Sequence, residues 1–278
     1  MTVQNTTFLL KYLTEQQYSN VFFIGEGWSS VAFHADDFII RFPKHGLKDY
    51  IKEQEICNLL RNKMDILLPE PQVCSGKITY VRHPKIYGHS WNQTTIKNLS
   101  TKELSLLSKD IANFFYTIHI NNTEYKAPTF KPVKASDIKS SFSGCIDDRL
   151  LQEMLDMYIN TKVLAAKTTT LIHGDFSYKN SVLDKNHRLI GVFDWCNSGM
   201  GDKTFDFVNL YALFPNDFIH GIIDKYQELS GEKIDIERLK KLYFLRNIYL
   251  LYWAHRKSKL TSEVLSYKVT EILHKVSR

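Results

Sequence analysis

Two rhythms of apolar and polar residues divide the chain. In the first third, short β-prone runs alternate with turn formers: Val21 to Ile24, Val31 to Phe33, Phe38 to Lys44, then Val73 and Ile78 to Val81. They predict a small sheet. Apolar residues at helical spacing predict helices over 6–18, 49–62, 99–121 and 146–164, with Leu104, Leu107, Ile111, Phe114, Phe115 and Ile118 as the core stripe of the third. The Pro-, Lys- and Ser-rich stretch 122–144 reads as a loop or insertion. Between 171 and 206 the strand rhythm returns briefly, with Val182-Leu183 and Leu189 to Phe193 separated by Asp184-Lys185-Asn186-His187. Beyond that the chain reads as helical to its end, broken near Pro215 and Ser230-Gly231.

A chain of 278 residues with 44% hydrophobic and 24% charged positions has an ordinary globular composition and ample length for a core. No apolar run reaches membrane-spanning length, and the first residues lack a basic segment followed by an apolar one. Cys57, Cys74, Cys145 and Cys196 are scattered, as expected of free thiols in a reducing compartment. The expectation is a cytoplasmic monomer with no nucleic-acid or membrane partner. The net charge of +6 sharpens one question, because residues 238–278 hold ten Lys/Arg against two Glu. A basic surface for nucleic acid is one reading. Leu239, Leu242, Leu245, Ile248, Leu250 and Leu251 at helical spacing favour a packing helix with its charges outward.

The chemistry concentrates at 171–206. Asp175 lies in the loop before the hairpin, Asn180 where that loop meets the first strand, and Asp194 after the second. Two oxygen ligands flanking a hairpin suit Mg²⁺, and a neighbouring carboxylate suits a hydroxyl's proton. Upstream, Gly25, Gly27, Ser29 and Ser30 lie between two predicted strands, where backbone N–H groups and hydroxyls can face phosphates. Arg41 follows on the next strand. The helix after it offers Glu53 and Glu55 as partners, and periodicity does not choose between them.

His173-Gly174-Asp175 with Asn180, Asp194-Trp195, and Asp202 four residues before Asp206-Phe207 together resemble the aminoglycoside phosphotransferase/choline kinase superfamily, nearest in pattern to the aminoglycoside 2''-O-phosphotransferases. The resemblance implies an α+β, two-lobed protein-kinase-like fold, with an N-lobe over 1–83, a hinge over 84–88 and a mainly helical C-lobe over 89–278. It implies transfer of the γ-phosphoryl of ATP or GTP to a small-molecule hydroxyl, an aminoglycoside-type antibiotic first of all. Asp175 would be catalytic and Asn180 and Asp194 would hold Mg²⁺. Gly25, Gly27, Ser29, Ser30, Arg41, Glu53, Pro84 and Ile86 would bind nucleotide, Glu53 being chosen over Glu55 by the family spacing. His173, Asp202 and Asp206 would brace the catalytic loop.

The chain departs from the family in two places. Many members carry Lys where Arg41 stands. The 2''-enzymes are acidic where this chain has Asn197 and Tyr211 to Asn216, so Asn197, Tyr211 and Trp253 suggest a more aromatic, less acidic acceptor pocket. Such a pocket also suits a less cationic antibiotic, or a metabolite such as choline, homoserine or a sugar; a non-catalytic nucleotide-binding module is the remaining alternative. Asp147, Asp148, Glu153 and Asp156 are candidates for an acidic cleft wall or for an ordinary exposed helix face.

Overall fold

The computed structural model describes residues 4–27, 29–127, 133–161 and 169–277. Trp28 of the glycine-rich loop, part of the stretch read as a loop, and the end of the helix expected to reach 164 lie outside them. Strands β1 (Phe22–Glu26), β2 (Ser30–Ala35), β3 (Phe38–Pro43), β4 (Gln72–Cys74) and β5 (Tyr80–Pro84) form an antiparallel sheet in the order β1-β2-β3-β5-β4. The period of two sorts its residues. Val31, Phe33, Ile40 and Phe42 share a core with Leu9, Tyr12 and Leu13 of helix α1 (Gln4–Glu15). Arg41, between Ile40 and Phe42, therefore points to the opposite face.

That face meets helix α2 (Lys48–Leu60). Of the four apolar residues that helical spacing puts roughly on one face of this helix, Ile56 and Leu60 are buried but Ile51 and Leu59 are 43% and 36% exposed, whereas Lys52 and Glu53 are buried beside Tyr50 and Cys57. The reason is that both charged side chains have dedicated partners. Glu53 pairs with Arg41, and Lys52 Nζ donates to the Cys196 carbonyl at 2.6 Å.

The rest is mainly helical: α3 (Gln93–Asn98), α4 (Thr101–His119), α5 (Ala135–Phe142), α6 (Asp148–Thr161), α7 (Thr204–Leu213), α8 (Asn216–Ser230), α9 (Ile236–Arg256) and α10 (Ser262–Val276). Helix α4 begins at a Ser100/Glu103 capping box and buries its predicted stripe at Leu107, Ile111, Phe114, Phe115 and Ile118. Two short ladders cross this region, β6 (Thr170–Ile172) with β9 (Gly199–Gly201), and β7 (Ser181–Leu183) with β8 (Leu189–Val192).

Three elements depart from the sequence expectation. Helix α5 sits inside the stretch read as a loop; it buries only Ile138 and Phe142, one turn apart, too little for a periodic signal. Strand β9 is Gly-Met-Gly and carries no β-prone side chain. The basic tail is two helices, because the chain breaks after Arg256 and restarts with Thr261 as an N-cap. Among the described residues no helix is long and apolar enough to cross a membrane.

Candidate active site

The loop after β6 is pinned from below. The Asp206 carboxylate, buried on α7, accepts from His173 N–H at 3.0 Å and Gly174 N–H at 2.7 Å, and stands 3.1 Å from His119 Nε2. His119 Nδ1 in turn lies 2.9 Å from the Tyr226 hydroxyl. His173 accepts from Asp175 N–H at Nδ1 (3.3 Å), which leaves Nε2–H to donate to the Phe193 carbonyl at 3.2 Å. Gly174 makes the turn possible. Its φ is +78°, and a β-carbon there would stand 2.5 Å from the Asn197 carbonyl oxygen.

Asp175 emerges from this turn with a half-buried carboxylate. Its Oδ1 accepts from Asn209 Nδ2 at 3.0 Å and from Arg246 Nη2 at 2.9 Å. Asn180 Nδ2 donates to the Asp175 carbonyl at 2.9 Å and lies 3.4 Å from its Oδ2. The hairpin then closes the set. Ser181 is paired with Val192, and Phe193 N–H donates to the Asn180 carbonyl at 2.9 Å, so Asn180 sits across from the residue preceding Asp194. Asp194 adopts left-handed backbone angles, φ 64° and ψ 64°, an unusual state for a non-glycine residue that turns its side chain out of the strand direction.

The residues that follow are tied to the sheet. Trp195 N–H donates to Glu53 Oε1 at 3.2 Å, while Glu53 Oε2 pairs with the Arg41 guanidinium. Burial pulls Arg41 down, but Glu53 first and then Cys196 and Tyr50 together oppose it, and the net shift is upward. Arg41 Nε is buried without an acceptor among the described residues, leaving a donor for a phosphate oxygen. Burial pushes Asp194 above its ordinary value of 3.8, with the nearby Arg41 charge opposing.

The hairpin therefore carries Asn180 and Asp194 at the same end of its ladder. Asn180 spends its amide N–H groups on Asp175, which leaves its Oδ1 as an acceptor. Such a set suits Mg²⁺, which takes few protein oxygens and completes its shell with water and phosphate. Among the described residues no three His, Cys, Asp or Glu side chains cluster as a metal site.

The glycine-rich turn is held by Gly27 N–H to the Ser30 carbonyl at 2.9 Å, and Lys44 Nζ reaches Glu26 Oε1 (2.5 Å) and the Gly27 carbonyl (2.8 Å). A β-carbon on Gly25 would meet nothing within 4 Å, and one on Gly27 only the Ser30 carbonyl at 3.8 Å. Packing among the described residues does not demand glycine at either position. Ser29 is half-buried and Ser30 buried. Pro84 ends β5 opposite Phe38, with its carbonyl 2.9 Å from His83 Nδ1. Ile86 lies over Gly191 of β8, and His89 and Leu183 exchange both backbone hydrogen bonds, which fastens this crossing segment to the β7–β8 hairpin.

The remaining candidates are dispersed. Asp202 accepts from Thr204 N–H at 3.0 Å and pairs with Arg238, joining the start of α7 to α9. Asn197 is exposed, and its carbonyl packs against Gly174. Tyr211 is buried, donating its hydroxyl to the Lys275 carbonyl at 3.0 Å, and Trp253 is 41% exposed on α9. Asp147 caps α6 through Arg149 N–H and Leu150 N–H, and with Asp148 it lines a separate cavity of about 450 Å³ that includes Ser262 and Glu263 of α10. Lys52, Asn209 and Arg246 were not anticipated. The available signal for Arg246 is a lone charge within the otherwise apolar run from Leu242 to Trp253, relieved only by Asn247.

Known proteins share this fold. The GDP and kanamycin complex of APH(2'')-IIIa superimposes with a TM-score of 0.76 over 99% of each chain at 16% identity. The macrolide 2'-phosphotransferase MphH of Brachybacterium faecium does so with a TM-score of 0.63, over 94% of this chain and 97% of that one, at 12% identity. A probable aminoglycoside 3'-phosphotransferase of Lactococcus lactis subsp. lactis (strain IL1403) is 34% identical over 94 residues, which are 33% of this chain and 35% of that protein. The sequence pattern of the phosphotransferase enzyme family is matched over residues 20–242, from the strand before the glycine-rich loop to the middle of α9, and this chain belongs to that family.

Proposed function

We propose that the protein transfers the γ-phosphoryl of ATP or GTP to a hydroxyl of a small molecule, in the cleft between an N-lobe at 1–83 and a C-lobe at 89–278 joined by a hinge at 84–88. The observation that carries this reading is the β7–β8 register, which sets Asn180 beside the segment leading to Asp194 while Asn180 also bonds Asp175. Asp175 orients the acceptor hydroxyl and takes its proton through Oδ2, since Oδ1 is already occupied by two donors. Asn180 and Asp194 hold Mg²⁺, which supplies charge neutralisation at the phosphates when bound. Arg41, fixed by Glu53, offers its unpartnered Nε and remaining N–H groups to phosphate oxygens. The turn at Gly25 to Ser30 covers the phosphates, and the backbone of Pro84 and Ile86 lies where a nucleobase would sit. His173, Asp202 and Asp206 keep the catalytic loop in place. The kanamycin-bound and macrolide enzymes of the same fold make hydroxylated antibiotics the first acceptors to test.

The decisive variant is Asp175→Asn, which keeps shape and most hydrogen bonds but cannot accept the proton. Acceptor-stimulated transfer should fall about 10²–10⁴-fold, while nucleotide affinity changes less than about threefold. Wild-type turnover in this variant would overturn the assignment.

A further inference from the structure

Arg246 lies just beyond residue 242, where the family match ends, yet it reaches the centre of the site. Its guanidinium lies on Asp175 at 2.9 Å and also donates to Asn209, so Arg246, Asn209 and Asp175 form a closed hydrogen-bonded ring at the point of phosphoryl transfer. Only 20% of the Arg246 side chain is exposed, and Phe205 lies beneath the guanidinium. Two of the five N–H donors that a guanidinium carries are used in these contacts.

Among the described residues, Asp175 is the one acid paired with the Arg246 guanidinium. Helices α7 and α9 contain one acid each, Asp206 and Glu237. Asp206 is spent on the catalytic turn and His119, and Glu237 pairs with Lys240 at 3.1 Å. Asp202 and Glu232 are neutralised by Arg238 and Lys203. Along α9, Tyr249, Leu250 and Trp253 follow Arg246 at helical spacings of three, four and seven, and no acid occurs between 246 and 256. A polycation brought to Asp175 would therefore meet a fixed guanidinium, and the neighbouring Asp194 carboxylate is taken up by Mg²⁺ in the reading above.

We infer that Arg246 selects an acceptor carrying an acidic group, a carboxylate or phosphate, beside its reacting hydroxyl, and disfavours one carrying an ammonium there. The inference rests on the phosphotransfer reading above and names its substrate class. The reaction itself supports it. As the hydroxyl oxygen bonds to Pγ and the bond from Pγ to the bridging oxygen breaks, the hydroxyl proton passes to Asp175 Oδ2 and the nucleoside diphosphate leaves. Asp175 then loses its charge, and Arg246 would be stranded as a shielded cation unless the acceptor brings an anion to its fork. Planar bidentate capture of a carboxylate or phosphate is the task for which a guanidinium is better suited than an ammonium.

The test measures binding and turnover of charge-matched acceptors in the presence of Mg²⁺ and nucleotide: glucuronate, glucose and glucosamine on one ring scaffold, with kanamycin as the polycation. Binding is read by calorimetry with a non-hydrolysable ATP analogue, turnover with ATP and GTP. Glucuronate should bind at least tenfold more tightly than glucosamine or kanamycin. Arg246→Gln should abolish that ranking, mainly through KM rather than kcat, and Arg246→Lys should restore part of it. Unchanged circular dichroism in both variants separates this effect from misfolding. Kanamycin or glucosamine binding as tightly as glucuronate, or a ranking indifferent to Arg246→Gln, overturns the inference while leaving phosphotransfer intact. The predicted ranking without turnover of any acceptor upholds the charge selection and overturns the phosphotransfer reading instead.

Discussion

Replacing Glu53 by Gln is the sharpest test of how the sheet is coupled to the catalytic segment. Glu53 is fully buried and holds two groups at once, the Arg41 guanidinium and the Trp195 N–H at 3.2 Å. Gln preserves the volume and can still accept from Trp195, so the change isolates the charge. Arg41 is 8% exposed and stacks on Tyr50, with its centre 4.8 Å from the ring. It would be left as a shielded, uncompensated cation. Breaking a buried pair in this way costs about 3–5 kcal/mol. At about 2–4 °C per kcal/mol for chains of this size, the melting temperature should fall by roughly 6–20 °C. Nucleotide affinity should fall with it, because Arg41 is no longer held in place. The double variant Arg41→Met/Glu53→Leu should recover most of the stability, as apolar replacements of buried pairs often do, without recovering nucleotide binding. Thermal melts followed by circular dichroism, with calorimetric titration of ATP, read both effects. A Glu53→Gln protein that melts within about 1 °C of wild type and binds ATP equally well would show that the pair is not the strut described here.

Two further outcomes follow from the same geometry. Gly174→Ala forces a side chain into a left-handed turn and against the Asn197 carbonyl; backbone strain alone costs about 1–3 kcal/mol, so the variant should melt several degrees lower and lose transfer activity, and unchanged melting would refute the strain. Burial raises the Asp194 pKa in the folded protein above 3.8, so the stability this group contributes to the nucleotide-free protein is full below that value and is lost as pH rises through the raised one. Mg²⁺ requires the ionised carboxylate, so the added thermal stability from Mg²⁺ with nucleotide should shrink as pH falls through the same window. In Asp194→Asn this pH dependence should disappear, and a flat response in the wild type would remove Asp194 from the metal site.

Local spacing made much of this protein legible before its folding was known. Alternation along Val31 to Phe33 and Phe38 to Phe42 settles which strand residues face α1, and it places Arg41 on the other side. The stripe of α4 is buried as its periodicity requires. Asp175, Asn180 and Asp194 could be grouped in advance because only a short hairpin separates them, and a hairpin's geometry is local. Where the chain meets itself over long distances, spacing is silent. The side of α2 that is buried depends on Arg41 and Cys196 lying across from it, so Lys52 and Glu53 go inside while Ile51 stays outside. Asp175 and Arg246 are 71 residues apart, and their contact exists because α7 and α9 pack together beneath the catalytic loop. Periodicity says that a helix has a buried face; the partner of each charged side chain on it is chosen only when the helices assemble and desolvation leaves no other place for the charge.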